Sequence, residues 1–283
     1  MAHKIKAFVR LMRPANCILM GFAVMVGAAL ADKTIFLGSF ARLFLGFVTG
    51  FTITAASMVV NDYYDREIDA INEPNRPIPS GIVTPKQVLV FALFLTAIGF
   101  VAAFFTNMYC FALSIVAWII SVAYTTRGKA TGLAGNVLVS LCVVIPFLYG
   151  SLLATQQIQT MILLFAAMVF LSNTGREINK GIVDIEGDKT RDAKTIAVRY
   201  GEKTAAIVAA ILYVAAILLT PFPWMWSLVS AWFVPLVLVT DFGLVASSAL
   251  LTHNHSRENA KKIKNYVLIW FLFGLLAFIL GTI

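Results

Sequence analysis

Charge is what this sequence has least of. Only 13% of its 283 residues are Asp, Glu, Lys or Arg, against 60% hydrophobic, where ordinary soluble domains carry roughly 25% charged residues. That shortage excludes a soluble globular domain and makes lipid the solvent. Cysteine is scarce as well. Cys17, Cys110 and Cys142 form an odd set inside apolar stretches, which excludes a disulfide framework and leaves them as packing residues. The amino-terminal segment carries Lys4, Lys6, Arg10 and Arg13 ahead of a long apolar run. No small-residue cleavage site follows, so it reads as a retained segment rather than a signal peptide. Acids are nearly missing from the middles of the apolar runs, where only Asp241 stands. An ion-coupled transporter, whose path needs ionisable groups at the midplane, is disfavoured for that reason.

What is present in quantity is apolar length. About 20 mostly apolar residues cross the roughly 30 Å of hydrocarbon in a bilayer, so charge-free runs divide by that length. Residues 14–31 and 43–61 make one span each. The run 87–126 is long enough for two and breaks at Thr106-Asn107-Met108-Tyr109; the run 130–175 does the same at Thr155-Gln156-Gln157. Residues 204–252 are interrupted by Pro221-Phe222-Pro223-Trp224, where prolines stop a helix and tryptophan suits the headgroup layer. Residues 265–283 supply the last span. The expectation is an all-α polytopic membrane protein with nine transmembrane helices, forming one domain over 1–283.

Nine spans put alternate loops on opposite sides, and Lys and Arg gather on the cytoplasmic one. Of the 22 cations, 20 share a side: the amino terminus, the loops after spans two, four and eight, and the segment around the end of span six. Lys33 and Arg42 are left to the other side. All acids but Asp32 and Asp241 also lie on the cation-rich side, which is read as cytoplasmic. The net charge of +8, which in a soluble chain would suggest nucleic acid, is accounted for by topology, and no nucleic-acid partner is expected.

Two acidic constellations carry the chemistry. After span two the chain reads Asn61-Asp62-Tyr63-Tyr64-Asp65-Arg66-Glu67-Ile68-Asp69, and then Arg76-Pro77-Ile78-Pro79-Ser80-Gly81. If the helix of span two continues past the interface, Asn61, Asp65 and Asp69 fall on one face, with Asp62 one turn from Asp65. After span six, Asp184 and Asp188 are again four apart, with Arg176, Lys180, Lys189 and Arg191 nearby. Like charges at that spacing repel by a few tenths of a kcal/mol, and a bound cation offsets the repulsion. Mg²⁺ takes oxygen ligands and binds through one or two carboxylates together with substrate phosphates. Two such faces would clamp one diphosphate, the basic residues neutralising the rest of its charge. In an allylic diphosphate this stabilises the leaving group as the C–O bond breaks.

With N-D-x-x-D-x-x-x-D at Asn61, Asp62, Asp65 and Asp69, D-x-x-x-D at Asp184 and Asp188, and nine spans over nearly the whole chain, the sequence resembles the UbiA superfamily of intramembrane prenyltransferases. The resemblance implies Mg²⁺ at both motifs, a central cavity opening to the cytoplasm, an isoprenyl diphosphate donor and a lipophilic or aromatic acceptor. It further implies Arg13, Tyr124, Lys129, Arg176 and Lys180 as site residues. Many relatives carry an acid three residues before Asp184, where this chain has Gly181. Within the superfamily, the opening Arg13-Pro14-Ala15-Asn16-Cys17 and the wording of both motifs look most like the branch that transfers a geranylgeranyl group to geranylgeranylglyceryl phosphate, closing the second ether bond of archaeal lipids. A phosphorylated lipid acceptor needs its own anion site, for which Arg13, Arg76 and Lys129 are candidates, and Asn16 is a further substrate-binding candidate. The alternative acceptor is an aromatic acid, a quinone precursor, or a chlorophyll- or haem-type molecule.

Other polar residues have competing roles. Asp241 is costly in hydrocarbon yet equally suited to a structural hydrogen bond. Tyr63, Tyr64 and Tyr124 could face a carbocation or belong to an interfacial belt. His253 and His255 read as a solvated loop, and Asn136 as a contact between helices.

Overall fold

The computed structural model describes residues 2–38, 40–190 and 192–282. Chain order is α1 (Ala2–Met12), α2 (Pro14–Ala31), α3 (Ile35–Gly38), α4 (Phe40–Asn72), α5 (Pro85–Thr106), α6 (Met108–Thr126), α7 (Leu133–Thr155), α8 (Thr160–Val183), α9 (Ile185–Thr190), α10 (Ile196–Ile217), α11 (Phe222–Met225), α12 (Phe233–His253) and α13 (Arg257–Gly281). Nine helices among the described residues are long and apolar enough to cross a membrane, in agreement with the division of the apolar runs.

The polar breaks become turns for local reasons. Between α5 and α6 a single residue is non-helical: Asn107 accepts from the Cys110 N–H at 2.8 Å and donates to the Leu152 carbonyl at 3.1 Å. It thereby caps α6 and fastens the turn to α7. At the 155–157 break, the Ser151 and Thr155 hydroxyls both donate to the Gln157 carbonyl, at 2.8 and 3.0 Å. Thr84 and Gln87 form a capping box around Pro85 at the start of α5. Pro221 and Pro223 confine the chain after α10 to the short α11.

The chain divides into two compact units, residues 1–126 with 145–158, and residues 127–144 with 159–283. In the first, α4 packs against α2, α5 and α6, with Ala55, Ala56, Val59 and Val88 fully buried. The carboxy-terminal part of α7 joins this unit, and the Tyr149 hydroxyl donates to Thr49 at 3.2 Å. A Cβ at Gly150 would run into the Val24 carbonyl and the Ala28 amide, and one at Gly27 into the Phe147 backbone, so these helices touch backbone to backbone. Gly150→Leu is expected to destabilise the fold by about 1–3 kcal/mol, read as earlier unfolding on heating in detergent. Gly38→Leu, where an added Cβ meets nothing within 4 Å, serves as the unaffected control.

In the second unit α10 packs on α8 and α12, and α13 on α12, around Ile178, Ile182, Ala205, Ala209, Tyr213, Leu251 and Ile263. Asp241, without a visible partner in the sequence, accepts from the Thr220 hydroxyl at 2.7 Å. That bond ties the turn after α10 to α12.

Candidate functional site

The helix of span two does continue. At about 1.5 Å per residue the 33 residues of α4 reach about 50 Å, well beyond the roughly 30 Å of hydrocarbon. The surplus carries Asn61 to Asp69 on rigid helix. The Asn61 amide donates to Asp65 at 2.9 Å. Asp62 and Asp69, seven apart, are only 7% and 9% exposed, and buried carboxylates need counter-charge. Two arginines distant in sequence or in a separate loop supply it. Arg13 donates to Asp62 at 2.7 Å. Arg76 donates to Asp69 at 2.6 Å, and its guanidinium lies 3.8 Å from Asp62. Burial works against the charge of Arg76, but the carboxylates of Asp69 and Asp62 outweigh it and hold the guanidinium above its ordinary range.

Local sequence explains how the arginines get there. Pro14 disfavours a helical conformation at the residue before it. Arg13 adopts φ 53° and ψ 67°, between α1 and α2, a left-handed conformation that costs a non-glycine residue about 1 kcal/mol. The bond to Asp62 is one of the contacts that hold it. Arg76 stands in the turn opened by Pro74 and closed by Gly81 at φ 73°, and Arg10 donates to the Asn75 carbonyl of the same turn at 3.0 Å.

In the second unit α8 stops at Val183 with Asp184 as its cap, and α9 carries Asp188. The expected single helical face is thus interrupted at Asp184, although the Asp188 N–H still reaches the Asp184 carbonyl at 2.9 Å. Asp184 is exposed and Asp188 half-buried. One turn and more before them, Glu177 is bonded by Arg176 at 3.1 Å and by Lys180 at 3.4 Å. Lys189 pairs instead with Glu186 at 3.3 Å. Lys129 lies in a 3₁₀ turn, Gly128–Ala130, and the Lys194 N–H donates to the Ala130 carbonyl at 2.9 Å. Gly132, at φ 69°, lets the backbone around Lys194 come this close. The turn bearing Lys129 is therefore clipped to the segment that follows the second acidic pair.

Tyr124 is part-buried near the end of α6, and Asn16 is exposed in the first turn of α2. Arg191 lies outside the described residues. Tyr63 is already engaged, with the Arg66 guanidinium 4.6 Å from its ring centre. Glu177 and Arg10 were missed. Glu177 had a signal, since seven residues before Asp184 is two helical turns; Arg10 had none, because its partner is a carbonyl 65 residues away. Gly181 is not imposed by crowding, since a Cβ there would meet Thr195 only at 3.8 Å.

Among the described residues no group of three or more His, Cys, Asp or Glu side chains is arranged to hold a metal ion by itself. The donor set is nonetheless that of Mg²⁺: carboxylate and amide oxygens, few at each place, with the remaining positions left to water and phosphate. Asp62, Asp65, Asp69, Asp184 and Asp188 fit that role, and Asn61 through its amide oxygen.

The described helices form a polytopic membrane protein with two acidic motifs, each accompanied by arginine or lysine. Its sequence matches the UbiA prenyltransferase family over residues 20–280, and the chain belongs to that family: it is an integral, multi-pass membrane prenyltransferase. It is 33% identical to a digeranylgeranylglyceryl phosphate synthase of Archaeoglobus fulgidus, covering 98% of this chain and 96% of the relative. It is 34% identical to the synthase of the same name from Methanopyrus kandleri, over 97% and 98%. A solved structure concerning a digeranylgeranylglyceryl phosphate synthase in membranes superposes with a TM-score of 0.89 at 29% identity, covering 98% of both chains. A UbiA homolog from Archaeoglobus fulgidus bound to GPP and Mg²⁺, at 18% identity and a TM-score of 0.70 over 96% of this chain and 99% of that one, shares the fold.

Proposed function

We propose that this prenyltransferase moves a geranylgeranyl group from geranylgeranyl diphosphate to the free hydroxyl of geranylgeranylglyceryl phosphate, forming the second ether bond of an archaeal-type membrane lipid. The names of full-length relatives at 33 and 34% identity support the acceptor. The observation that carries the chemistry is the interleaving at the first motif, where Arg13 and Arg76 lie within 3 Å of Asp62 and Asp69. Carboxylates for a divalent cation beside guanidinium groups for a phosphorylated substrate are what this transfer requires.

The donor's C–O bond breaks toward diphosphate, a new C–O bond forms from the acceptor hydroxyl oxygen, and that hydroxyl gives up its proton. Asn61, Asp62, Asp65 and Asp69 at the first motif, and Asp184 and Asp188 at the second, would hold Mg²⁺, which would supply charge stabilisation to the leaving group. Arg176, Lys180, Lys189 and Arg191 add positive charge on the second motif's side of the sequence. Tyr124 offers an aromatic face to the allylic cation. Arg13, Arg76 and Lys129 are the candidates for the acceptor phosphate, and Asn16 is a further substrate-binding candidate. The distribution of Lys and Arg supports a site open to the cytoplasm.

Membranes containing the protein, given labelled geranylgeranyl diphosphate and Mg²⁺, are expected to prenylate geranylgeranylglyceryl phosphate and not 4-hydroxybenzoate, and to lose transfer when EDTA is added. Product from the aromatic acid alone would move the assignment to another branch of the family. Full transfer in EDTA would remove the metal from the reading.

A further inference from the structure

The helix α1 crosses no membrane, and its surface falls into three strips. At about 100° per residue, Ala7 and Leu11 share a side that is 5% and 0% exposed. It packs in the cluster that contains Ala55 and Val59 of α4, and the neighbouring Phe8 ring lies 4.8 Å from that of Phe91 on α5. Ile5 and Val9, four apart, form a second strip that protein leaves uncovered, 60% and 45% exposed. Lys6 and Arg10 form the third, and with Lys4 all three cations are exposed.

Its neighbours place this helix where a span begins. A single residue, Arg13, separates it from the span α2, and Phe91 sits two turns inside α5. An apolar strip beside a cationic one, held where a span begins, is the arrangement of a helix lying in the headgroup layer. Its cations complement anionic lipid.

We infer that α1 binds the anionic headgroup layer of the membrane the chain spans, with Ile5 and Val9 in the acyl boundary and Lys4 and Lys6 on headgroup phosphates. The engagement reaches the first acidic motif, because Arg10 holds the Asn75 carbonyl and Arg13 holds Asp62. It is independent of which acceptor the enzyme uses.

The test uses the full chain in nanodiscs of phosphatidylcholine, alone or mixed with phosphatidylglycerol. Spin labels are attached at Ile5→Cys, Val9→Cys and Lys6→Cys, with the parental chain measuring the background of Cys17, Cys110 and Cys142. In the anionic discs, labels at positions 5 and 9 are expected to be relaxed by oxygen and shielded from an aqueous nickel chelate, and the label at 6 the reverse. Lys4→Gln with Lys6→Gln is expected to lower the ratio of lipid-shielded to chelate-accessible label in anionic discs about fivefold per cation, with prenyl transfer in neutral discs unchanged. The proposal is overturned if positions 5 and 9 are as open to the chelate as position 6. It fails equally if phosphatidylglycerol changes nothing. Dipolar broadening between labels at 5 or 9 in separate copies would make a second chain the occupant instead.

Discussion

Asp69→Asn is expected to cut prenyl transfer about a thousandfold with little change in the amount of folded protein. The substitution keeps the size of the side chain and an oxygen that accepts from Arg76, so the 2.6 Å contact has a substitute. What it removes is a negative charge at the place proposed above to hold Mg²⁺ and the leaving diphosphate. Losing one preorganised electrostatic group of this kind costs on the order of 10²- to 10³-fold in rate, and a metal carboxylate belongs at the upper end. Asp184→Asn is expected to behave alike. Glu67→Gln is the control: its side chain is 84% exposed and it should transfer at the parental rate. The measurement is the initial rate with labelled geranylgeranyl diphosphate in membranes, normalised to protein. Near-parental rates for both aspartate variants would defeat the assignment of the acidic motifs.

The second large effect concerns Arg76, and it separates holding the fold from doing the chemistry. Arg76→Ala leaves Asp69 buried without its cation, which is expected to destabilise by about 3 kcal/mol and to lower transfer at the same time. A single variant therefore cannot assign the role. The pair Arg76→Met with Asp69→Leu replaces buried charges by apolar groups of similar volume and is expected to restore most of the stability, while transfer stays near background. Stability is read from the midpoint of unfolding in mixed detergent, and activity from the same preparation. If the double variant regained transfer together with stability, the ion pair would be a structural fastening only.

Much of the architecture was legible because hydrocarbon imposes a simple rule: a span must be about 20 apolar residues long and satisfy its own backbone. The interruptions at 107, at 155–157 and at 221–224 therefore had to be turns. The spacing of Asn61, Asp65 and Asp69 could be read as one side of a helix, since a 3.6-residue repeat is local. It also misled slightly. Asp184 and Asp188 have the same spacing, yet the helix stops at Val183, and nothing in D-x-x-x-D distinguishes a cap from a helical interior.

What the sequence by itself determined was which runs are long and apolar enough to cross a bilayer, and where the carboxylates of the first motif fall along a helix. Tertiary structure alone decided that Arg13 answers Asp62 across 49 positions, that Arg76 folds back between Asp62 and Asp69, and that the turn bearing Lys129 is clipped to Lys194. The physical reason is one of range. Helix periodicity and hydropathy are set within a few residues, whereas the partner of a buried charge is set by which helices pack and how closely their backbones approach.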